Sequence, residues 1–190
     1  EDTMYVLLQS GALLTAAADG TTALMLSSRY GHLLCARELL RCGADVNAAD
    51  SGRNTSLMYA ARNGHGGMTR SLLDAGADAN MTKKLGSTAM LFAAKNGYSD
   101  VVHELLLGTE DAEPLDIDHT DAEGKSALHL GAEYAHLEVV SFLLEHNADA
   151  SLCDRKGLLA SDYATSPSAA HPGILARYEA VSNLLREGLT

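Results

Sequence analysis

A 33-residue period constrains the fold of this chain more than any other feature of its sequence. Thr22, Thr55 and Thr88 are spaced by 33 residues, and two sets of glycines repeat at the same interval: Gly31, Gly64 and Gly97, and Gly43 and Gly76. A fixed period of about 20 to 50 residues indicates an array of repeated structural units. In such an array each unit contacts only its neighbours, so the chain needs no internal domain boundary.

Each copy of the pattern predicts a pair of helices, as the copy at 50–81 illustrates. Thr55 precedes an apolar segment and is placed to cap a helix N-terminus with its hydroxyl group. Ala60 and Ala61 are small enough to let two helices approach closely. Leu72 and Leu73 lie at helical spacing and face the neighbouring unit. Gly76 suits the left-handed conformation that ends many helices. The equivalent capping residues in other copies are Thr22, Thr88 and Ser126.

The period divides the chain into six segments. They are a partial first repeat (1–18), four repeats (19–49, 50–81, 82–120 and 121–153) and a divergent capping repeat (154–190). An insertion at 108–114 lengthens the 82–120 repeat. The chain begins in the middle of the pattern and without Met, so we expect it to be a fragment of a longer protein. Residues 4–10 are predicted to form an outer helix without its inner partner.

The pattern resembles the ankyrin repeat, whose period is also 33 residues. In the first full copy the motifs are Thr22-Ala-Leu-Met, Ser27-Ser28, Gly31-His32, Leu39-Leu40 and Gly43-Ala-Asp-Val-Asn-Ala. The chain departs from the family's Pro after the Thr, and it keeps the family's His only as His129. The resemblance implies an all-α solenoid of helix-turn-helix units, with short β-hairpin or loop connections and a divergent C-terminal cap. It also implies a function in protein–protein interaction.

Charge and composition exclude several classes of function. The formal net charge is −11, which argues against a general nucleic-acid binder or a membrane-surface binder. The sequence contains no apolar run long enough to span a membrane and does not open on a signal peptide. The three cysteines lack metal-ligand spacing and fit a reducing compartment. We therefore expect an intracellular protein, cytoplasmic or nuclear, without membrane insertion.

No group of residues in the sequence predicts catalysis, a cofactor or a metal site. His129 with Glu133 lacks a second His, and His129 stands at the family's structural His position. The Gly-His motifs are spread one per repeat, so their rings cannot converge on one ion, and we expect them to order the turn between helices. The stretch 64–67 lacks the preceding strand and the following Lys of a phosphate-binding loop. The cysteines lack the His and Asn arrangement of a nucleophile. We expect no enzyme activity within these residues.

A set of surface residues does predict partner binding. In the resembled fold, hairpin tips and inner helices line a concave face, where the last positions of each inner helix vary with the partner. These positions form one column of Arg29, Arg62, Lys95 and Glu133 and a second of Tyr30, Asn63, Asn96 and Tyr134; the tips add Arg53, Lys83, Lys84 and Lys125. Like charges in a row repel one another, and a negatively charged partner relieves that cost. Exposed Tyr beside Arg is typical of interface anchors. We predict that the concave face binds another protein through an acidic peptide or loop.

The sequence also admits other interpretations. The basic residues are, in the simplest one, ordinary solvated side chains. The chain is alternatively a regulatory or targeting domain of a larger enzyme, or a spacer or self-association unit. The acidic run at 110–123 is a candidate to fold back onto the basic face. Asn47 and Asn80 stand in a context in which ankyrin-repeat asparagines are hydroxylated in some organisms, with a structural role in the hairpin as the alternative.

Overall fold

The computed structural model describes residues 16–108, 114–164 and 172–187. Within these residues there are ten α-helices, one 3-10 turn (Lys84–Gly86) and no strand. The helices are α1 Ala23–Tyr30, α2 Leu33–Arg41, α3 Ser56–Arg62, α4 Gly66–Asp74, α5 Ala89–Asn96, α6 Ser99–Leu107, α7 Ala127–Glu133, α8 Leu137–Glu145, α9 Ala160–Tyr163 and α10 Pro172–Glu187. The predicted helix at 4–10 and most of the insertion at 108–114 lie outside the described residues.

The helices form two stacked layers. In the inner layer, α1, α3, α5, α7 and α9 contact one another in sequence order. In the outer layer, α2, α4, α6, α8 and α10 do the same. Each inner helix packs against the outer helix that follows it. This arrangement is the predicted all-α solenoid, in which the core is continuous from one helix pair to the next.

The connections ahead of the inner helices are five-residue loops, which we call tips one to five (17–21, 50–54, 83–87, 121–125 and 154–158). In each tip the first N–H donates to the fifth carbonyl oxygen, at 2.8 to 3.1 Å. Of the two predicted kinds of connection, β-hairpin or loop, the described residues show loops, and pairing of the β type is confined there to one isolated bridge between Cys153 and Leu159.

Hydroxyl caps start three of the inner helices as predicted. The Oγ1 atoms of Thr22, Thr55 and Thr88 accept from backbone N–H groups three residues ahead at 3.2 to 3.3 Å. Such a cap contributes about 1 kcal/mol. The N-terminus of α7 differs, because the Ser126 Oγ lies 2.9 Å from Nδ1 of His129. The His129 ring is buried, and its Nε2 lies 3.1 Å from the Leu158 carbonyl oxygen. Its role is therefore to join α7 to tip five.

The Leu-Leu pairs of the outer helices supply much of the core. The first leucine of each pair is buried, and these are Leu39, Leu72, Leu105 and Leu143. Burying such a side chain contributes roughly 1.5 to 3 kcal/mol. The last outer helix is longer, with 16 residues against nine in α8, and buries Val181 and Leu185. A longer terminal helix covers the end of the apolar stack.

Asparagine side chains join neighbouring repeats in the loops that follow the outer helices α2 and α4. The Asn47 amide donates to the Gly76 carbonyl oxygen at 3.2 Å and accepts from the Asp78 N–H at 2.8 Å. Asn80 makes the same pair of bonds, to Pro114 at 3.0 Å and from Asp116 at 2.9 Å. At the next junction the equivalent residue is Asp118, whose carboxylate accepts from the Asp149 N–H at 2.8 Å. Asp118, which belongs to the acidic run at 110–123, therefore accepts a hydrogen bond from the backbone of the following repeat.

The histidines that precede the outer helices α4 and α8 also act between repeats. Nε2 of His65 lies 3.2 Å from the Arg29 carbonyl oxygen, and Nε2 of His136 lies 3.2 Å from that of Lys95. Each of these rings therefore reaches the C-terminal end of the preceding inner helix. The expectation that they order the turn of their own repeat is replaced by a role at the junction.

Candidate partner-binding surface

The first three members of the predicted basic column lie in equivalent places. Arg29, Arg62 and Lys95 stand in the last turns of α1, α3 and α5, and all three side chains are exposed. The pKa of the Tyr59 hydroxyl is sensitive to Arg29 and Arg62. Burial and then its hydrogen bond to Asp50 raise this pKa, while the charges of the two arginines act to lower it. The charges of both arginines therefore act on the same side chain of the inner layer.

Aromatic rings lie beneath the cations at the next two repeats. The guanidinium carbon of Arg62 is 5.8 Å from the centre of the Phe92 ring, and Nζ of Lys83 is 5.5 Å from the same centre. Nζ of Lys95 is 5.8 Å from the centre of the Tyr134 ring. Such cation–π contacts contribute about 0.5 to 1 kcal/mol at exposed sites, and they leave the charge itself uncompensated.

Six basic residues of the predicted surface have no acidic partner in the described part of the chain. Within residues 16–108, 114–164 and 172–187, no ion pair involves Arg29, Arg53, Arg62, Lys83, Lys84 or Lys95. The tip residues Arg53 and Lys84 are exposed, and Lys83 is half-buried against Phe92. These six residues form an unpaired cationic surface over tips two and three and helices α1, α3 and α5.

The surface ends at the fourth repeat, where Lys125 is paired. Its Nζ lies 2.6 Å from Oε2 of Glu133 and 4.4 Å from the centre of the Tyr163 ring. Burial opposes the charge of Lys125, but the hydrogen bond and negative charge of Glu133 outweigh it and raise the Lys125 pKa. The Lys125 side chain is only 13% exposed. Lys125 therefore adds no free cation to the surface, and Glu133 has its partner within the chain.

The second predicted column is mixed in its contacts. The Asn63 amide donates to the Tyr59 carbonyl oxygen of its own helix at 2.7 Å. The Asn96 amide donates to the Arg62 carbonyl oxygen at 3.1 Å and so joins α5 to α3. Tyr30 and Tyr134, at the two ends, are 60% and 44% exposed. The tyrosines are therefore available for contact, whereas the amides already contribute to the solenoid.

A third column of inner-helix residues was missed by the sequence reasoning. It contains Leu26, Tyr59, Phe92 and Leu130 in equivalent positions, so the 33-residue period was the signal that could have found it. Leu26 is 46% exposed, and Tyr59 and Phe92 are half-buried. This apolar column runs beside the basic one. A partner segment in this place meets apolar and cationic side chains together.

The tips carry two side chains in left-handed backbone. The fourth residue of each tip has a positive φ, and it is Gly20, Gly86, Gly124 and Gly157 in four tips but Arg53, at φ 63°, in tip two. Leu85, the third residue of tip three, has φ 73° and is 76% exposed. A side chain in this conformation costs roughly 1 to 2 kcal/mol. Such outliers concentrate at functional sites.

The row of hydrogen bonds between tips is interrupted once. Ser51 N–H donates to Asp19, Ala122 N–H to Leu85, and Arg155 N–H to Glu123, at 2.8 to 3.0 Å between nitrogen and carbonyl oxygen. In the described residues no backbone bond joins tip two to tip three. The interruption coincides with Arg53, since glycines at its position lie close to the backbone of the next tip: a Cβ on Gly20 would be 3.1 Å from Cα of Asp50.

A concavity lies between tips three and four and helices α5 and α7. Its volume is about 340 Å³. Leu85, Phe92, Lys95, Leu130 and Tyr134 contribute to its lining. It therefore brings the apolar column, the end of the basic column and the strained tip residue into one place. The lining also contains Asp121, Glu123 and Glu133, so the concavity holds groups of both charges.

Across 16–108, 114–164 and 172–187, no group of three or more His, Cys, Asp or Glu side chains is placed to hold a metal ion. In the same ranges, no helix is long and apolar enough to cross a membrane.

Comparison with known proteins agrees with the geometry of the stack. A family model described as ankyrin repeats (3 copies) matches residues 1–83 and residues 57–154. No match was found among curated proteins. The matched ranges contain the helix pairs from α1 to α8 and all of the predicted basic residues. The chain therefore belongs to the ankyrin-repeat family.

Proposed function

We propose that this chain is a protein–protein interaction module whose concave face binds an acidic segment of another protein. Ankyrin repeats are generally protein–protein interaction modules and are typically non-catalytic. The observation that carries the proposal is the unpaired cationic surface, in which Arg29, Arg62 and Lys95 repeat at one position of successive inner helices. The chain as a whole is strongly acidic, so a local basic surface distinguishes this face from the rest of the molecule.

Charge complementarity determines how such a partner is recognised. Carboxylates that approach Arg62 and Lys95 form charge-assisted hydrogen bonds, which are about twice as strong as neutral ones. Arg29 and Tyr30 extend the same surface towards the first repeat. The aromatic rings beneath Arg62 and Lys95 restrict these side chains in part, which lowers the cost of ordering them on binding. Intracellular location is part of the proposal, and the three free cysteines support it.

The test uses peptides selected for binding. Random peptides displayed on phage are selected against the purified chain, and we expect the selected sequences to be rich in Asp and Glu. The dissociation constant of a selected peptide is then measured by isothermal titration calorimetry. The double variant Arg62→Glu with Lys95→Glu is expected to weaken binding by well over about tenfold, since it replaces attraction by repulsion at two contacts.

A matched control reverses the same number of charges elsewhere. Arg37 and Arg186 are exposed residues of the outer helices α2 and α10, so Arg37→Glu with Arg186→Glu should leave the affinity unchanged. Circular dichroism shows that each variant is folded. Equal affinity of the wild type and the folded Arg62/Lys95 variant overturns the proposal, and so does selection of peptides without acidic residues.

A further inference from the structure

The first residue of the tip is an aspartate in tips two, four and five, but a lysine in tip three. The three aspartates are Asp50, Asp121 and Asp154. In each of them one carboxylate oxygen accepts from the backbone N–H groups of the third and fifth residues of the same tip, at 2.8 to 3.0 Å. Lys83 stands at this position in tip three and has no oxygen that could accept. Of these four tips, tip three therefore lacks the carboxylate that the others supply to themselves.

The backbone of tip three differs where the carboxylate is missing. The N–H groups of its third and fifth residues, Leu85 and Ser87, donate to no side chain in the described part of the chain. Leu85 has φ 73°, whereas the third residues of the other three tips do not have positive φ; these are Gly52, Glu123 and Lys156. An aspartate bonded to both N–H groups fixes a turn, and without it the third residue is not held in that conformation.

The inner-helix residue nine positions after the first tip residue changes together with the aspartate. Tyr59 and Tyr163 occupy this position after tips two and five, and their hydroxyl groups donate to the tip aspartates at 2.7 and 2.6 Å. The equivalent residue after tip three is Phe92, which has no hydroxyl group. Nζ of Lys83 and the guanidinium carbon of Arg62 lie 5.5 and 5.8 Å from the centre of the Phe92 ring. Beside this ring there are thus two cations, where tips two and five have a hydrogen-bonded carboxylate.

The carboxylates of the neighbouring tips do not neutralise these cations. Asp50 is bonded within tip two and to the inner helix that follows it, and Asp121 is bonded within tip four. Glu123 is the other acidic residue of tip four. Among the described residues, no ion pair joins any of these three carboxylates to Lys83 or Arg62. Tip three therefore has both hydrogen-bond donors and cations without an anionic acceptor.

We propose that an Asp or Glu side chain of the partner segment takes the place of the missing tip aspartate. Its carboxylate accepts from the N–H groups of Leu85 and Ser87 and pairs with Lys83. The reason for this occupant is the carboxylate that tips two, four and five carry at the same place. On binding, Leu85 loses its positive φ, and tip three takes the conformation of the other three tips. The proposal rests on the proposed function and names the residues that receive one acidic side chain of the segment.

The test restores the missing carboxylate within the chain. The probe is the acidic peptide selected for the proposed function, prepared with an amidated C-terminus so that its carboxylates belong to side chains. In the variant Lys83→Asp the new side chain accepts from the two N–H groups and repels the peptide. Isothermal titration calorimetry should show that Lys83→Asp weakens binding about tenfold more than Lys84→Asp, which makes the same change of charge one residue along. The urea midpoint should rise in Lys83→Asp and not in Lys84→Asp, because only the first variant gains the bonds within the tip.

NMR observes the two donors in the unchanged chain. The amide proton resonances of Leu85 and Ser87 should move downfield when the peptide is added to the wild type, because hydrogen bonds to a carboxylate form. In Lys83→Asp they should be downfield before the peptide is added, and the peptide should not move them further.

Two results overturn the proposal for tip three. One is a wild type saturated with peptide in which the Leu85 and Ser87 resonances have not moved, and the other is equal weakening of binding by Lys83→Asp and Lys84→Asp. The proposed function stands in either case if Arg62→Glu with Lys95→Glu still weakens binding. It falls as well if that variant binds the peptide as tightly as the wild type does.

Discussion

The His65 ring occupies the space that a side chain on Gly31 would need. A Cβ built on Gly31 would lie 2.9 Å from Cε1 of His65, and Gly31 also has a left-handed backbone, with φ 72°. The same ring lies 3.2 Å, through Nε2, from the Arg29 carbonyl oxygen. The glycine is thus required twice, once by its own conformation and once by the ring of the following repeat.

Gly31→Ala should therefore destabilise the chain more than a left-handed alanine alone. Left-handed backbone costs roughly 1 to 2 kcal/mol, and the close contact adds about 1 to 3 kcal/mol. Gly43→Ala is the control, because Gly43 has φ 87° but nothing within 4 Å of a built Cβ. Urea unfolding measures both free energies. Equal losses in the two variants would show that the ring contact is unimportant.

Helix α4 is predicted to be the weakest outer helix, because it begins with Gly66 and Gly67. Each glycine in a helix costs roughly 1 kcal/mol relative to alanine. Gly67→Ala should restore about that amount, since nothing lies within 4 Å of a Cβ there. Gly66→Ala should gain less, because its Cβ would be 2.7 Å from Oδ2 of Asp100.

Amide hydrogen exchange is the measurement for α4. Residues 68–74 are expected to exchange faster than residues 139–145 of α8, and Gly67→Ala should slow them. Protection of the two helices to the same degree in the wild type would contradict the prediction.

Asp154 gives tip five a dependence on pH. The hydrogen bond from the Tyr163 hydroxyl, followed by those from the backbone N–H groups of Leu158 and Lys156, lowers the Asp154 pKa to about 2. An unfolded Asp has a pKa of about 3.9. Because the folded pKa is the lower one, the ionised form stabilises the fold fully above about pH 4, and this contribution is lost as the pH falls towards 2.

The carboxyl carbon resonance of Asp154, followed by NMR between pH 2 and 6, measures this pKa directly. Tyr163→Phe removes the largest cause, so the Asp154 pKa should rise towards its ordinary value in that variant. A wild-type pKa near 3.9, or no change on Tyr163→Phe, would show that the hydroxyl has no such effect.

Arg53→Gly is expected to stabilise the chain while weakening partner binding. The other tips have glycine at this position, and the substitution relieves a strain of about 1 kcal/mol. It also removes one cation of the unpaired surface. Urea unfolding and peptide titration are compared in the same variant, with Asn147→Gly as the control for relief of strain, since Asn147 has φ 62° and an exposed side chain. A fall in stability of the Arg53 variant would refute the account of strain.

The helical framework was accessible from the sequence because its determinants are local or strictly periodic. Thr55 caps its own helix, and Leu72 repeats at a spacing that fixes the buried face. The basic column was predictable for the same reason. The apolar column that includes Phe92 obeys the same period, so the sequence contains the signal that predicts it.

Other features depend on contacts between residues that are far apart in the sequence. The pairing of Lys125 with Glu133 is supported by Tyr163 of the following repeat, so charge alone could not reveal that Lys125 is occupied. The left-handed conformation of Leu85 accompanies bonds from Ala122 and His119 to tip three. The sequence of tip three alone gives no reason for Leu85 to adopt the left-handed conformation.

The paired bonds of Asn47 and Asn80 have a consequence for chemical ageing. Deamidation converts Asn to Asp, which keeps the acceptor but has no N–H₂ to donate. The bonds to the Gly76 and Pro114 carbonyl oxygens would be lost, at about 1 kcal/mol each, and a carboxylate would then face a carbonyl oxygen. Asp118 already holds its junction by the acceptor alone. In an aged molecule, the junctions at residues 47 and 80 would each keep one of their two hydrogen bonds. The junction at Asp118 is built in that way before any ageing.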